Sequence, residues 1–276
     1  MPALYVVATP IGNLADITLR ALDVLRTVDT VAAEDTRLTQ HLLDRHGIRA
    51  SLMSLHEHNE RKAAARVVEL LSAGQSVALV TDAGTPGISD PGAIAVAQAR
   101  QAGFPVVPVP GASALIAAIS ASGMAAPPFS FHGFLPSRKS ERERQLAAIA
   151  PLAGLQVFYE APHRIVESVE SMAKVLGEGR QITLAREITK VYEQFHACLL
   201  GQAAEWLRAD EHRRRGEFVL MVEGSPGDSA ADGNSQEVLK MLLEELPLSR
   251  AVALAARITG AKKNELYQKA LELNKD

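Results

Sequence analysis

Two hydrophobic periodicities alternate along the first half of the chain. Short β-rich runs occur at 4–7, 77–80 and 106–109. Stretches with helical spacing lie between or beside them, at 19–28, 37–46, 61–71 and 93–101. Strands that alternate with helices of this length predict βα units and a mainly parallel sheet.

The pattern changes near residues 122–128, where Ser, Gly and Pro predict a hinge. Beyond the hinge, β-rich runs are denser, and amphipathic helices are predicted at roughly 138–150 and 163–176. The predicted strands are 130–134, 155–160, 182–186, 195–200 and 218–223. This pattern predicts a second α/β domain with a more mixed sheet.

The last part of the chain begins with a small, polar segment that has no apolar period and predicts a flexible linker. Three short helices are predicted after it, near 236–246, 249–258 and 263–273. The join at 259–263 resembles the turn of a helix-turn-helix. The predicted organisation is an N-terminal α/β domain at 1–123, a second α/β domain at 124–224, a linker at 225–235 and a C-terminal helical domain at 236–276.

Composition narrows the class of protein. The 276 residues are 47% hydrophobic and 22% charged, which is typical of a globular protein. A net charge of −3 excludes a uniformly basic nucleic-acid coat protein but allows local basic patches. The single cysteine, Cys198, excludes a disulfide framework and fits a reducing cytosol. No uncharged apolar run approaches the ~20 residues of a membrane span, so we expect a soluble, cytoplasmic protein with no membrane association.

Loops rich in Pro and Gly follow three predicted strands, at 9–13, 81–87 and 110–113. Ligands of parallel sheets bind outside the carboxyl ends of the strands, so we place the site at these loops. The segment 79–92 is the strongest, because its glycines and prolines form a connection longer than the usual ~2–6 residues. Asp90 and Pro91 are predicted to begin the next helix as N-cap and first residue. Asp82 is expected to accept a hydrogen bond from a ligand hydroxyl or amine.

Several common site motifs are absent from the sequence. No Lys follows a Gly, and no Gly-x-Gly-x-x-Gly follows the first strand, so ATP and nicotinamide dinucleotides are poor candidates. The zinc-protease pattern starting at His56 fails because Glu60 stands where the second histidine is needed. We predict no metal site. No Gly-x-Ser-x-Gly occurs, and Cys198 is expected to be a core residue.

Charged residues cluster in two ways. Basic clusters occur at Arg138, Lys139, Arg142 and Arg144, at 213–215, and at Lys262 and Lys263. Each cluster alone fits a solvated surface, but the three together indicate a polyanionic partner. The ends of two predicted strands, at 158–164 and 186–193, are rich in acidic and basic residues. Such residues form either structural ion pairs or a functional site.

Several blocks of sequence, taken in order, resemble a family of small-subunit ribosomal RNA methyltransferases within the tetrapyrrole methylase superfamily. The resemblance covers essentially the whole chain. The matching blocks are 9–14, 16–21, 33–37, 56–60, 81–92, 108–114, 133–136, 159–164 and 186–190.

The resemblance implies an enzyme that uses S-adenosylmethionine to 2′-O-methylate a cytidine ribose in the decoding region of 16S ribosomal RNA. It also implies a homodimer, and two α/β domains of the tetrapyrrole methylase type with the cofactor cleft between them, followed by the small C-terminal helical domain. By position, the cofactor-binding residues would be Pro10, Asp82, Gly84, Ile88, Ser89, Pro110, Gly111, Ser113 and Ala114, with Tyr159 and Met221 from the second domain.

Methylation of a ribose hydroxyl requires alignment of the reacting atoms at ~3–3.5 Å and loss of the hydroxyl proton. Glu160, Glu187 and Glu34 stay open as the base, and Arg37, Arg186 or Lys190 as the group that stabilises the developing oxyanion. We expect Glu160 and Arg186 to act at the transition state, with Glu187 and Lys190 as further catalytic candidates. The predicted RNA-binding residues are Arg37, Arg138, Lys139, Arg142, Lys262 and Lys263.

Two other functions stay open at this point. The same fold could methylate a corrin or porphyrin precursor, although a small macrocycle needs neither the basic clusters nor the C-terminal helices. A non-catalytic S-adenosylmethionine-binding or ribosome-assembly factor is the other alternative. The acid and base residues at the strand ends count against it.

Overall fold

The computed structural model describes residues 2–124, 128–225 and 228–273. The strands of the first domain are β1 (Leu4–Val7), β2 (Thr30–Ala33), β3 (Ser51–Ser54), β4 (Val77–Val80) and β5 (Val106–Val109). They form one parallel sheet in the order β3-β2-β4-β1-β5, which confirms the predicted parallel sheet. The helices are α1 (Leu19–Thr27), α2 (Thr36–Arg45), α3 (Glu60–Ser72), α4 (Ala93–Gln101) and α5 (Ala114–Ala121).

Helices cover both faces of this sheet, which explains why β4 is a continuous apolar run. Side chains alternate between the two faces of a strand. Ala78 and Val80 pack with α1 and α2, whereas Val77 and Leu79 pack with α3 and α4. All four residues are buried, so the carboxyl end of β4 is held firmly at the edge where the following loop begins.

The second domain contains β6 (Phe129–Phe134), β7 (Leu155–Glu160), β8 (Gln181–Arg186), β9 (Gln194–Leu199) and β10 (Phe218–Val222). Their order is β6-β7-β10-β8-β9, and only β6 and β7 are parallel, which confirms the mixed sheet. The helices α6 (Lys139–Ile149), α7 (Ile165–Leu176) and α8 (Leu200–Arg208) pack on one face. The other face packs on α5 of the first domain through Leu115 and Ala118. This contact joins the two domains.

The C-terminal helices are α9 (Asp228–Glu245), α10 (Leu248–Thr259) and α11 (Lys263–Leu273). They surround their own core, which includes Leu239, Val252 and Leu266. The chain leaves α10 through Gly260, whose φ of +74° is a left-handed conformation that favours glycine. This turn lies where the sequence predicts the helix-turn-helix join.

The prediction of a linker at 225–235 is wrong from residue 228 onward, because α9 already begins at Asp228. Ala230 and Ala231 are strong helix formers, and the macrodipole favours an acid at the first turn. A helix anchored by apolar residues further along can therefore extend back into a small, polar segment. Residues 226–227 of the linker and 125–127 of the hinge lie outside the described residues, so the hinge and the domain boundaries stay predictions.

Within the described ranges, every helix is too short or too polar to span a lipid bilayer.

Candidate active site

The loops that follow β1, β4 and β5 are hydrogen-bonded to one another. Thr9 and Gly84 exchange two backbone hydrogen bonds of 2.9 and 3.1 Å, and the Thr9 hydroxyl donates to the Thr81 carbonyl at 3.0 Å. The Thr85 hydroxyl donates to the Ala112 carbonyl at 3.2 Å. These contacts join the three predicted site loops into one layer, here called the floor, at the carboxyl edge of the first sheet.

A cavity of about 300 Å³, here called the first cavity, lies between this floor and the second sheet. Its volume is at the lower end of the range for small-molecule sites. Apolar walls come from both domains, including Ile11, Phe134 and Phe218. The structure brings together here six of the predicted cofactor-binding residues: Gly84, Ile88, Ser89, Ser113, Ala114 and Tyr159.

A second cavity of about 590 Å³ adjoins the first and shares Ile11, Ala83 and Glu217 with it. The predicted cofactor residues Pro10 and Asp82 line this second cavity. Thr81 also lines this cavity, and its hydroxyl is buried and has no hydrogen-bond partner within the described part of the chain. Buried hydroxyls are normally satisfied, so this one is available to a ligand.

Three predicted cofactor residues lie outside both cavities. Met221 is fully buried under α5, which corrects its predicted place; the residues before it, 217–219, reach the first cavity instead. Pro110 and Gly111 do not line either cavity, and their cofactor role stays a prediction. A Cβ at Gly111 would lie 2.9 Å from the Ala8 Cβ, so this glycine allows the β5 loop to approach the end of β1.

Acidic side chains meet at the ends of β2 and β4. Burial raises the pKa of Glu34; a hydrogen bond from the Asp82 amide opposes this rise, and the Asp82 charge adds to it. Asp90 lines the first cavity. Burial, followed by the charges of Glu34 and Asp82, raises the pKa of Asp90 to about 7.

Asp90 is not the helix cap that the sequence predicts. The helix α4 begins at Ala93 with Gly92 as its N-cap. The Glu60 carboxylate of α3 accepts hydrogen bonds from the Gly92 and Ile94 amides at 2.8 and 3.1 Å. Sequence reasoning missed Asp90 as a site residue, because a cap supplied by another helix leaves no local signal.

Glu160 does line the first cavity, but its carboxylate is fully engaged. One oxygen accepts hydrogen bonds from the Ala161 amide at 2.8 Å and from the Arg164 guanidinium at 2.7 and 3.0 Å. The other accepts from the Ser168 hydroxyl. With 2% of the residue exposed, Glu160 anchors the turn from β7 to α7. The structure therefore contradicts its predicted role as a base.

The other predicted catalytic residues hold a turn beside the second cavity. The Arg186 guanidinium donates to the His212 and Arg215 carbonyls, so it fixes the chain before β10. Lys190 lines the second cavity and pairs with Glu187 and Glu217, each at 2.9 Å. Burial alone would raise the pKa of Glu187, but hydrogen bonds from Lys190 and from the Glu217 amide lower it overall.

Among the predicted RNA-binding residues, Arg142 is wrong. It is 2% exposed, and its guanidinium donates to the Ser171 hydroxyl and to the carbonyls of Pro136 and Ser137. A buried guanidinium committed to these acceptors cannot reach a phosphate. The other five predicted residues are exposed and their role stays a prediction: Arg37, Arg138, Lys139, Lys262 and Lys263.

Comparison with known proteins agrees with this architecture. Residues 3–204 match the family described as tetrapyrrole (corrin/porphyrin) methylases, and the chain therefore belongs to the tetrapyrrole methylase family. Residues 229–274 match a family described as the RsmI C-terminal HTH domain. The chain is 49% identical to ribosomal RNA small subunit methyltransferase I of Escherichia coli over 270 residues, which cover 98% of this chain and 94% of the relative. It is 48% identical to the protein of the same name from Vibrio cholerae, over 98% of this chain and 95% of the relative.

Solved structures with the same fold are much more distant in sequence. Uroporphyrin-III C-methyltransferase from Thermus thermophilus superposes with a TM-score of 0.59 at 19% identity, over 83% of this chain and 97% of that one. The methyltransferase CobJ superposes with a TM-score of 0.62 at 18% identity, over 82% and 95% of the two chains. These matches confirm the predicted fold class.

Proposed function

We propose that this protein transfers a methyl group from S-adenosylmethionine to the 2′-hydroxyl of a cytidine ribose in the decoding region of 16S ribosomal RNA. The observation that carries the proposal is the first cavity, where residues of both domains that match the family's cofactor motifs form one pocket. The name shared by relatives that are 46–49% identical to this chain supports ribosomal RNA as the methyl acceptor.

The residues of the cleft suit this cofactor. Its adenosine and methionine carry no phosphate, so a cleft without a phosphate-binding loop is expected. The apolar walls fit the adenine, and the unpartnered Thr81 hydroxyl offers a hydrogen bond. The carboxylates of Glu34 and Asp82 favour a ligand with positive charge. A solved uroporphyrin-III C-methyltransferase of the same fold is complexed with S-adenosyl homocysteine.

When bound, S-adenosylmethionine supplies an electrophilic methyl group on a sulfonium sulfur. The protein's part is to position the reactants and to exclude water. Tyr159 ties the domains together at the cavity, because its hydroxyl accepts a hydrogen bond from the Leu115 amide at 3.1 Å. Ile88 and Phe134 form an apolar wall of the cavity. Lys190 places a cation at the second cavity, beside the first, where it can attract the negatively charged acceptor RNA.

The proposal extends to partners and location. The exposed basic residues at 138–139 and 262–263 would contact the phosphates of ribosomal RNA. A second copy of the chain would form the homodimer, and exposed apolar side chains support this: Val191 is 92% exposed and Tyr192 is 72% exposed. Cytoplasm is the proposed location, because ribosomal RNA is the acceptor.

The test of this proposal has two parts: a variant whose larger side chain fills the first cavity, and a comparison of possible methyl acceptors. Ala114→Phe, at the cavity wall, should weaken binding of S-adenosylhomocysteine at least about tenfold by calorimetry. Ala121→Phe, at the exposed end of the same helix, is the matched control and should bind normally. With methyl-labelled S-adenosylmethionine, the wild-type protein should transfer label to small ribosomal subunits that lack the modification. Label in a corrin or porphyrin precursor, with none in the subunit, would move the assignment to tetrapyrrole methylation.

A further inference from the structure

Three carboxylates line the first cavity, and they differ in what they contact. Glu160 is engaged by Arg164 and Ser168, and Glu217 pairs with Lys190. Asp90 is half-buried and, among the residues that the structure describes, its carboxylate has no hydrogen-bond or ion-pair partner. It is therefore the acid of the cavity wall that is free to receive a proton.

The surrounding chain keeps this carboxylate free. Glu60 takes over the capping of α4, which is the role that the sequence predicts for Asp90. The preceding residue, Ser89, has a φ of +63°, a conformation that costs a non-glycine residue free energy. A Cβ at Gly133 would lie 3.0 Å from the Ser89 hydroxyl, so glycine in β6 makes room for this turn. Strained backbone of this kind persists where surrounding contacts enforce it, and here it positions Asp90 at the cavity.

We propose that Asp90 is the general base that takes the proton of the acceptor hydroxyl, an inference that rests on the proposed function. The acceptor oxygen forms its bond to the methyl carbon as the carbon–sulfur bond breaks, and the sulfonium becomes a neutral thioether. The proton of the hydroxyl moves to an Asp90 carboxylate oxygen. The protonated Asp90 then releases the proton to water after the products leave.

The charges around Asp90 set the pH at which it can act. It faces Glu34 from the end of β2 and Asp82 from the loop after β4, and both oppose its ionisation. The same cavity is lined by Tyr159 and Glu160 from β7 and by Glu217 before β10. Glu160 is already paired with Arg164, and Glu217 with Lys190. In the free protein these surroundings hold the pKa of Asp90 at about 7. A bound sulfonium cation lowers the pKa of a nearby carboxyl, which increases the fraction of Asp90 ready to accept a proton.

The experiment compares Asp90→Asn with wild type in single-turnover methyl transfer to small subunits at saturating S-adenosylmethionine. Loss of a general base lowers the rate by about 10²–10⁴-fold. The wild-type rate should rise with pH, reach half its maximum at or below about pH 7 and then level off, whereas the residual Asp90→Asn rate should not follow this rise. Asp90→Glu should recover part of the rate. Asp23→Asn, an exposed carboxylate on α1, is the control and should keep the full rate.

Two further measurements separate a base from a binding residue. S-adenosylhomocysteine has no sulfonium charge, so Asp90→Asn should bind it within about threefold of wild type by calorimetry. Carbon-13 NMR of the aspartate carboxyls in the free protein should show one resonance, absent from Asp90→Asn, that titrates near pH 7. The inference is overturned if Asp90→Asn turns over within about threefold of the wild-type rate, or if it no longer binds S-adenosylhomocysteine. Activity of the wild-type protein in the same experiments would leave the proposed function standing. A wild-type protein that methylates no RNA would overturn the proposed function instead.

Discussion

At the scale of single residues, the carboxylates of the cleft are distinguished by their partners. Glu160 is more deeply buried than Asp90, yet hydrogen bonds and the Arg164 cation stabilise its charge. The charged neighbours of Asp90 are negative, and none of the described residues donates a hydrogen bond to its carboxylate. A buried charge without a partner destabilises the folded state, and this destabilisation is measurable.

The stability of the protein should report the ionisation of Asp90. The folded state holds the proton of Asp90 up to about pH 7, whereas the unfolded chain releases it near its ordinary value of about 4. Between these values the folded state binds more protons, so the contribution of Asp90 to stability falls as the pH rises. Asp90→Asn should therefore be more stable than wild type to urea at pH 8. The difference should shrink as the pH falls and disappear near pH 4; a difference independent of pH would contradict this explanation.

Arg142 gives a second prediction at this scale. Arg142→Met keeps the buried stem but leaves the Ser171 hydroxyl and two carbonyls without their donor. It should lower the free energy of unfolding by about 2–4 kcal/mol. Arg144→Met lies on the exposed side of the same helix and should change stability by less than about 0.5 kcal/mol. Urea denaturation measures both, and equal effects would show that the Arg142 contacts contribute nothing.

At the scale of elements, helix α4 depends on a cap from another helix. Glu60→Ala removes the acceptor of the Gly92 and Ile94 amides and should destabilise the protein by about 1–2 kcal/mol. Glu69→Ala, on the same helix, removes only an exposed ion pair with Arg66 and should cost under about 1 kcal/mol. If the two variants unfold at the same urea concentration, Glu60 is not the cap.

The sequence predicts those elements whose pattern is local. The run 77–80 is apolar on both faces and is β4 without a shift in its bounds. The apolar periodicity at 93–101 gives the bounds of α4, whereas the start predicted from Asp90 and Pro91 is wrong. The start of α9 escapes prediction because its first turns are polar and depend on apolar residues further along. The site loops follow from their glycines and prolines. The roles of Glu160, Arg142 and Asp90 depend on partners brought together by folding, such as Glu60 and Ser171.

At the scale of the whole molecule, the two α/β domains hold the cleft, and the C-terminal helices form a separate core that carries Lys262 and Lys263. If these lysines contact RNA phosphates, replacing both with Ala should weaken binding to the small subunit similarly for any RNA sequence. The slope of log affinity against log salt should fall by about 1–2. Binding of S-adenosylhomocysteine should not change. An unchanged salt slope would exclude these two lysines from the RNA interface.

The reaction itself is tested most directly by the product. Small subunits that lack the modification are incubated with the protein and methyl-labelled S-adenosylmethionine, and the 16S ribosomal RNA is digested to nucleosides for mass spectrometry. The proposed function predicts label in 2′-O-methylcytidine from the decoding region, with none in the large subunit. Label on a base, label in another nucleoside, or no label from a protein that binds S-adenosylhomocysteine would contradict it.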